Sequence, residues 1–349
     1  MPITIDGSKF EGGGSMLRIA IACSIATGKP FRMVNIRKNR DNPGLRPQHL
    51  ASVKLAQFVS SGYAEGAELG STELFFIPAR VQSGAYDIDI KTAGSIALCL
   101  QSVIMPIAFS GHNVTLRLKG GTDVNHSPGI DYFKFIFSHA IRNYAEIKTD
   151  VIKRGYYPKG QGRVDVRINS KYNSLDASGI GEISLNEKKD IRKISLKINA
   201  SKDLAQGRVI ERLSEYFVLL SKPLGIDTAI SQSYNDTEST GGSATLIVNA
   251  GEDFIGETRV FERGVKAESI AEELYYRAKI LISSNACDIH LTDQLIPFIA
   301  TAGSGSIKAE DITEHSRANA YVCNEFFENK VKIDEDSKII SVSEANLEG

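Results

Sequence analysis

The chain has 349 residues, which is enough for about two domains of ~150 residues each. Its 41 basic and 42 acidic residues leave a formal net charge of −1, which excludes a global positive field that steers the protein to nucleic acid. No run approaches the ~20 apolar residues of a membrane-spanning helix, and the first residues show no signal-peptide pattern. We therefore expect a cytoplasmic protein that has no membrane partner.

Residues 2–78 predict a strand, a helix, a strand, a helix and then two strands. Alternating apolar positions indicate strands, and apolar positions three or four residues apart indicate helices. The segments that we identify are strands at residues 3–5, 31–36 and 73–77 and helices at residues 16–25 and 48–60.

Residues 85–168 repeat the same order, which indicates one structural unit built twice. Tyr86, Ile88 and Ile90 alternate as strand positions do. A long apolar helix follows from Ser95, with Thr92 as a candidate cap. A strand at residues 114–118, a helix at 132–144 and a strand at 164–168 complete the unit.

Residues 283–349 predict much of a third unit, whereas the pattern before it differs. The third unit has helices at residues 295–302 and 316–327 and strands at 306–309 and 338–342. The preceding stretch has strands at 194–198 and 246–248, helices at 209–220 and 266–282, and a polar loop at 231–243.

This organisation predicts an α/β fold with a large domain of βαβαββ repeats and a smaller inserted α/β domain. The large domain comprises residues 1–182 and 283–349, and the insert comprises residues 183–282. The four cysteines are interpreted as small buried side chains in a reducing compartment, because they form neither a CxxC pair nor a zinc pattern. They are Cys23, Cys99, Cys287 and Cys323.

A glycine-rich turn joins the first strand to the first helix. Gly12, Gly13 and Gly14 let the backbone approach a ligand closely, and N–H groups at a helix start bind anions. Glu11 lies beside these glycines, and a carboxylate next to a phosphate site commonly holds a divalent cation. A tight turn with a solvated glutamate explains the same residues without any ligand.

A basic loop follows the strand at residues 31–36 and ends at the next helix. It contains Arg37, Lys38, Arg40 and Arg46, and Gln48 and His49 begin the helix. Guanidinium groups bind phosphate through paired hydrogen bonds, so the loop suits a polyphosphate or an RNA terminus. The alternative is a solvated basic face that has no ligand.

Two polar helix starts are further candidates. Residues 290–294 lead into an apolar helix, and capping by Thr292 or Asp293 is the simpler explanation of their polarity. Thr313 or a neighbour begins the last helix, so His315 lies in or near its first turn, where the positive helix end favours a neutral imidazole. A neutral imidazole is nucleophilic, although a lone histidine is more often a surface or capping residue.

Together these segments resemble the RNA 3′-terminal phosphate cyclase family, in which they occur in the same order. The resemblance is dense over residues 1–165 and 290–320 and thin in the predicted insert. The matching motifs are Asp6-Gly7, Glu11-Gly12-Gly13-Gly14, Leu17-Arg18, Gly28-Lys29-Pro30-Phe31, Pro43-Gly44-Leu45, Gln48-His49-Leu50, residues 65–71, Ala93-Gly94-Ser95, Gly120-Gly121-Thr122-Asp123, Gly155-Tyr156-Tyr157-Pro158, Asp293-Gln294-Leu295 and His315.

The resemblance implies βαβαββ repeats with a smaller insert, in agreement with the predicted fold. It also implies a ligase that converts an RNA 3′-phosphate to a 2′,3′-cyclic phosphodiester in three steps. A histidine attacks the α-phosphorus of ATP and expels pyrophosphate, and AMP then passes to the RNA 3′-phosphate. The neighbouring 2′-hydroxyl closes the ring and releases AMP, with assistance from Mg²⁺ or Mn²⁺.

The resemblance also implies a role for each matching position. His315 matches the nucleophile, and Glu11 matches the metal-binding carboxylate. The positions that match residues holding the triphosphate or the terminal phosphate are Arg18, Arg37, Arg40, Gln48 and His49. Those that match the nucleotide pocket are Asp293 and Gln294 as polar lining and Pro128 and His290 as the two sides of an adenine sandwich.

The chain departs from the family pattern at Lys9-Phe10, at Arg46-Pro47 and at two positions of the nucleotide site. His290 stands where the family usually has a tyrosine, and an imidazole can also stack on adenine. Ser15 stands where the family usually has a glutamine that contacts the nucleotide.

Two other functions fit part of the pattern. A non-catalytic cyclase-like scaffold for RNA processing shares the fold but lacks the histidine and the nucleotide-binding residues, which this chain has. An enolpyruvyl transferase is also built from βαβαββ repeats, but no residue match supports it. The expected partners are ATP and an RNA 3′-phosphate end, and a homodimer is a further expectation.

Overall fold

The computed structural model describes residues 1–10, 13–171, 184–185, 190–284, 286–328 and 330–342. Over these ranges the chain forms four sheets of four strands, with helices packed against them. None of the helices in these ranges has the length and apolar character needed to span a bilayer.

The first unit has the predicted βαβαββ order. Its elements are β1 (Ile3–Asp6), α1 (Gly14–Thr27), β2 (Phe31–Val34), α2 (Pro47–Ser60), β3 (Tyr63–Glu65) and β4 (Leu74–Ile77). The sheet order is β1-β2-β4-β3, in which β1 and β2 are parallel and the other pairs are antiparallel. Helix α1 is buried on all sides from Ser15 to Ile25, as its mostly apolar sequence requires.

The second unit repeats this topology. Its elements are β5 (Gly84–Asp89), α3 (Ile96–Leu100), α4 (Ile104–Ala108), β6 (Asn113–Gly120), α5 (Ile130–Tyr132), a π-helical turn (Phe133–Phe137), α6 (Ser138–Ala140), β7 (Ala145–Lys153) and β8 (Gly162–Ser170). The order β5-β6-β8-β7 matches that of the first sheet, with the same parallel and antiparallel pairs.

The third unit begins before the insert and ends after it. Its first strand is β9 (Ser184–Leu185), and the insert follows as β10 (Ile191–Ser201), α7 (Val209–Ser221), β11 (Asp227–Asn235), β12 (Gly242–Ala250), β13 (Asp253–Val260) and α8 (Ala267–Ser284). The unit then resumes with α9 (Ile289–Ala302), β14 (Gly305–Lys308), α10 (Glu314–Phe326), β15 (Val331–Asp334) and β16 (Ile339–Val342). The order β9-β14-β16-β15 repeats the first two sheets, since β9 and β14 are parallel.

The α/β fold of βαβαββ repeats with a smaller inserted α/β portion is therefore confirmed. The exact limits of the two domains stay a prediction, and β9 lies just inside the range assigned to the insert while its partner strand belongs to the third sheet.

The insert has its own core. Its sheet has the order β11-β10-β12-β13, and α7 and α8 cover one face in a separate hydrophobic cluster that includes Phe217 and Leu274. Its other face meets the second unit, where the rings of Phe254 and His139 lie 4.5 Å apart. Asn199 also donates a 2.7 Å hydrogen bond to the buried Asp131.

All four cysteines are free and buried, which confirms their interpretation as small core side chains. The sulfur atoms of Cys23 and Cys323 lie 3.9 Å apart, so they touch without a covalent bond. Burial raises the pKa of the Cys99 thiol to about 12, which leaves it unreactive at neutral pH.

The long helix predicted from Ser95 is wrong in two respects. Ser95 itself is the cap, because its Oγ accepts the N–H of Leu98 at 3.1 Å, and Thr92 is not. The apolar stretch is also divided into α3 and α4, with Gln101 at the break. Pro106 has no N–H and tolerates only the first turn of a helix, so the second helix starts anew at Ile104.

One further expectation is wrong in part and another is wrong. The loop predicted at residues 231–243 is confined to residues 236–241, because residues 231–235 are the end of β11, a polar edge strand next to β10 in the insert sheet, and residues 242–243 begin β12. The capping of the ninth helix by Thr292 or Asp293 is also wrong, because the helix begins at Ile289 and Asp288 is its cap.

Candidate active site

One cavity of ≈ 560 Å³ is lined by residues from all three units and brings together ten of the eleven predicted site residues. We name it the arginine cavity after the four arginines in its wall. The ten residues are Arg18, Arg37, Arg40, Gln48, His49, Pro128, His290, Asp293, Gln294 and His315. Glu11, the eleventh, lies outside the described residues. The roles assigned to these residues stay predictions.

His315 lies in the first turn of α10, as predicted. Thr313 caps this helix, because its Oγ1 accepts the N–H of Ser316 at 2.9 Å. The Asp293 carboxylate on α9 in turn accepts hydrogen bonds from the hydroxyls of Thr313 and Ser316 at 2.9 and 2.6 Å. Helix α9 therefore holds the start of α10, which places His315 in the cavity wall.

Asp293 connects helices α9 and α10 through the hydrogen bonds that it accepts. Burial raises the pKa of this carboxyl, while the hydrogen bonds from Ser316 and Thr313 and the nearby His315 oppose the rise. Hydrogen bonds that favour the charged form are the usual means of keeping a buried carboxylate ionised.

Asp288 fixes the start of α9 and joins it to two other parts of the fold. Its Oδ1 accepts the N–H groups of His290 and Leu291 at 3.1 and 2.9 Å and the hydroxyl of Tyr132 at 2.6 Å. Its Oδ2 accepts the N–H of Gly256 from β13 at 3.0 Å. The insert, the second unit and α9 therefore meet at one buried carboxylate.

His290 is oriented by the insert. Its Nε2 lies 3.3 Å from Oε1 of Glu257 on β13, and its ring meets the ring of Tyr132 edge-on at 6.1 Å. Burial lowers the pKa of His290, but the hydrogen bond and charge of Glu257 outweigh burial, and the pKa is raised overall. This ring therefore carries more positive charge near neutral pH than an isolated histidine.

His49 is a buried, neutral imidazole at the start of α2. Its Nδ1 accepts the N–H of Arg46 at 3.0 Å, so the neutral ring carries its proton on Nε2. Nε2 lies against the glycine-rich turn, where a Cβ on Gly14 would come within 2.2 Å of it. Burial and the charges of Arg18, Arg37 and Arg46 lower the pKa of His49 to about 3. The ring thus offers an N–H donor without a charge of its own.

Gln48 connects the first two units. Its Oε1 accepts the N–H of Ser95, the cap of α3, at 2.9 Å. Its Nε2 hydrogens are the groups left to face a ligand, because a carboxamide carries two donors besides its acceptor.

Arg18 is a buried cation in the cavity wall. It is 6% exposed, and its Nε donates to Oε1 of Gln101 at 3.0 Å. Burial lowers the pKa of Arg18 to about 10, so the side chain is charged at neutral pH. No carboxylate in the described part of the chain contributes to that pKa, which leaves the buried charge open to an anionic ligand.

The arginines of the basic loop repel one another. Burial lowers the pKa of Arg37, and the positive charges of Arg40 and Arg46 lower it further. Its buried Nε has no hydrogen-bond partner among the described residues. A cluster of like charges with an unsatisfied donor is stabilised by an anion, and a polyphosphate supplies both charge and acceptors.

The site prediction left out other polar residues of the wall, among them Arg46, Gln101 and Asn319. Gln101 was visible as a polar side chain within an apolar stretch, and Arg46 was already recognised as an arginine of the basic loop. Asn319 gave no local signal, because its contacts are distant in sequence. It accepts from the Ser15 hydroxyl at 2.9 Å and donates to the backbone oxygen of Asp293 at 2.9 Å. Ser15, the departure from the family pattern, therefore joins α1 to α10.

Pro128 lies in a loop that buried hydrogen bonds make rigid. The N–H of Ile130 donates to the oxygen of Thr122 at 2.9 Å, which closes the loop. Within it, Asp123 forms a buried ion pair with Arg154 at 3.1 Å. The loop presents Pro128 to the arginine cavity from the side of the second unit.

The metal prediction rests on Glu11, of which nothing is described. Among the residues that are described, no group of three or more His, Cys, Asp or Glu side chains could hold a metal ion. Mg²⁺ is commonly held by one or two carboxylates together with substrate phosphates, so a complete protein cage is not what this prediction requires.

Repeated βαβαββ units around a cavity whose wall contains four arginines define an α/β protein with a cationic pocket. A model of the RNA 3′-terminal phosphate cyclase family matches residues 9–333. The chain is 37% identical over 344 residues to the RNA 3′-terminal phosphate cyclase of Methanococcoides burtonii, with 98% of this chain and 99% of that protein covered. It is 39% identical over 345 residues to that of Archaeoglobus fulgidus, with 97% and 99% covered.

The match to Methanosarcina mazei is similar, at 36% identity over 358 residues with 98% of this chain and 99% of that protein covered. The chain therefore belongs to the RNA 3′-terminal phosphate cyclase family. It is an enzyme of the ligase class, and the fold predicted from the repeats is the fold of this family.

Proposed function

We propose that this enzyme converts an RNA 3′-phosphate to a 2′,3′-cyclic phosphodiester with ATP, through an AMP group carried by His315, and that it releases AMP and pyrophosphate. One observation supports the proposal above all others. His315 shares a cavity with four arginines, one of them buried without a carboxylate partner in the described residues. A nucleophile and a polyphosphate site in one cavity are what the first step needs.

In the first step, a nitrogen of the His315 imidazole forms a bond to the α-phosphorus of ATP. The bond from that phosphorus to the bridging oxygen breaks, and pyrophosphate leaves with the electron pair. Arg18, Arg37 and Arg40 neutralise the phosphate oxygens, while His49 donates a hydrogen bond from Nε2. Because His49 stays neutral, it contributes a directed donor without adding to the repulsion among the arginines.

In the second and third steps, AMP moves to the RNA and then leaves. An oxygen of the RNA 3′-phosphate attacks the phosphorus on His315, and the P–N bond breaks. The neighbouring 2′-hydroxyl then attacks the activated 3′-phosphorus, loses its proton and displaces AMP. Gln48 lines the cavity and uses its Oε1 to accept from Ser95, so its Nε2 donors suit the terminal phosphate during both steps.

For the adenosine, we propose the pocket between Pro128 and His290. Gln294 donates from Nε2 to the backbone oxygen of His290 at 2.9 Å, which leaves its Oε1 to accept from the exocyclic amine of adenine. Asp293 contributes indirectly, by holding the start of α10.

Glu11 is proposed as a ligand of Mg²⁺ or Mn²⁺. When bound, such a cation would neutralise charge on the departing pyrophosphate. The cytoplasm is the proposed location, since free buried thiols suit a reducing compartment. The homodimer stays a prediction.

The test uses a short oligoribonucleotide whose 3′-terminal phosphate is radiolabelled. Incubated with the enzyme, ATP and Mg²⁺ or Mn²⁺, the label should become resistant to phosphatase, with one AMP formed for each end converted. The matched control carries a 2′-O-methyl group on the last nucleotide, so its phosphate can be adenylylated but not cyclised, and it should therefore release no AMP. Phosphate that stays phosphatase-sensitive under all conditions would favour a non-catalytic scaffold and contradict the proposal.

A further inference from the structure

A second cavity, of ≈ 890 Å³, adjoins the arginine cavity between the second unit and the insert. Its wall comes from the loop before α3, the loop between β7 and β8, and the open end of the β12–β13 hairpin. We name it the tyrosine cavity after Tyr156 and Tyr157. Gln48 and Asn125 line both cavities, so a chain whose end lies in one can continue into the other.

Aromatic rings are displayed in the tyrosine cavity. Tyr157 is 75% exposed, so its ring contributes little to the core and is open to a ligand. Phe261 also lines this cavity, and a Cβ on Gly242 would come within 2.3 Å of its ring. An exposed aromatic ring stacks on any nucleobase, because every base has a π-face.

The charge available in this cavity is positive. The two carboxylates in its wall are already paired, Asp123 with Arg154 at 3.1 Å and Glu262 with Arg259 at 2.7 Å. Arg263 is exposed, and no carboxylate of the described residues forms an ion pair with it. The wall therefore offers an unneutralised guanidinium to a phosphodiester.

Two buried polar atoms of the wall have no partner within the described ranges. They are Oδ1 of Asp123, which is fully buried, and the hydroxyl of Tyr156, which is 2% exposed. Burial raises the pKa of the Tyr156 phenol, so it remains a donor, while Asp123 supplies an acceptor. Both atoms are covered by their neighbours, so they belong to the buried part of the wall and not to its accessible surface.

We propose that the tyrosine cavity binds the nucleotides that precede the RNA 3′-terminal phosphate, as a single strand with a base stacked on Tyr157 and a phosphodiester at Arg263. The assignment rests on the proposed function, in which the terminal phosphate lies beside Gln48. Because stacking is sequence-tolerant, the cavity favours unpaired ends over duplex ends without selecting a sequence.

The experiment measures binding without turnover. A fluorescein-labelled hexaribonucleotide with a 3′-phosphate is titrated in the absence of ATP, and its anisotropy gives the Kd. Tyr157→Ala is expected to raise this Kd roughly 5- to 150-fold, whereas Tyr157→Phe keeps it within about twofold. Arg263→Gln is expected to lower the slope of log Kd against log salt by about 0.7.

The matched control is Tyr276→Ala, which removes a tyrosine that is 60% exposed on α8, outside both cavities. It should bind the hexamer as the wild type does. Wild-type affinity in Tyr157→Ala, or equally tight binding of a blunt duplex with the same 3′-phosphate, would overturn the inference.

The proposed function is tested separately in the same preparation. Wild-type enzyme is incubated with α-labelled ATP alone, which needs no RNA. Absence of covalent label would refute the adenylylation chemistry, and the binding comparison between Tyr157→Ala and Tyr276→Ala would still decide the inference about the tyrosine cavity.

Discussion

The buried imidazole of His49 is expected to make the fold sensitive to acid. Its pKa is about 3 in the folded chain, against an ordinary value of 6.5. As the pH is lowered, the unfolded chain therefore binds a proton on His49 at a higher pH than the folded chain does. The free energy of unfolding has its full value above pH 6.5 and decreases as the pH falls towards 3. For these two pKa values, protonation of His49 lowers the free energy of unfolding by about 1.4 kcal/mol at pH 5.5 and by about 2.7 kcal/mol at pH 4.5.

Urea unfolding of the wild type and His49→Gln at pH 8, 5.5 and 4.5 measures this loss. Acidic residues contribute to both proteins, so the difference between the two pH profiles isolates His49. We expect His49→Gln to lose about 2.7 kcal/mol less than the wild type between pH 8 and 4.5. His112→Gln, which replaces an exposed histidine, serves as the control and should follow the wild type. Parallel profiles for the wild type and His49→Gln would refute a buried, neutral imidazole.

Three other predictions concern the cavity wall. Arg18→Met should slow covalent AMP formation by about 10²-fold, since it removes a buried phosphate donor, and an unchanged rate would exclude Arg18 from the site. Gly14→Ala should destabilise the fold by about 1–3 kcal/mol in urea unfolding, because its Cβ would overlap Nε2 of His49; an unchanged midpoint would contradict that contact. Glu257→Gln should lower the pKa of His290 in an NMR titration, and an unaltered titration would contradict the ion pair.

Elements with a strong apolar period were predictable from the sequence. Helices α2 and α10 were predicted to within two residues at either end, and β5 and β6 were identified by alternation alone. Strand β11 was not, because it lies at a sheet edge and its polar residues resemble a loop. The division of α3 from α4 falls at the polar pair Gln101-Ser102 and just before Pro106, three residues within a stretch that is otherwise apolar.

The parts of the candidate site that lie in local sequence motifs were predictable. The parts that depend on contacts between residues distant in sequence were not. The first turn of α10 followed from Thr313 and its neighbours, which located His315 on a helix start. The ion pair of His290 with Glu257 was not visible, because the two side chains meet only when the insert packs on α9. The pKa of His49 was likewise not predictable, because it depends on the burial of the ring, which the neighbouring residues in the sequence do not indicate.

The insert is also connected to the wall of the arginine cavity through ion pairs. Arg277 on α8 donates to Glu257 at 3.1 Å and forms a second ion pair with Glu310, which follows β14. Glu257 then contacts His290 in the cavity wall. This chain of contacts gives the insert a direct influence on the arginine cavity, in addition to the wall that it contributes to the tyrosine cavity.

The most direct measurement is covalent transfer from α-labelled ATP to the purified enzyme, with His315→Ala beside the wild type. The wild type should carry the label as an acid-labile, base-stable phosphoramidate that maps to the peptide containing His315. His315→Ala should carry none, while it unfolds in urea at the wild-type midpoint. Label of equal amount in His315→Ala, or label on any other residue of the wild type, would contradict the account.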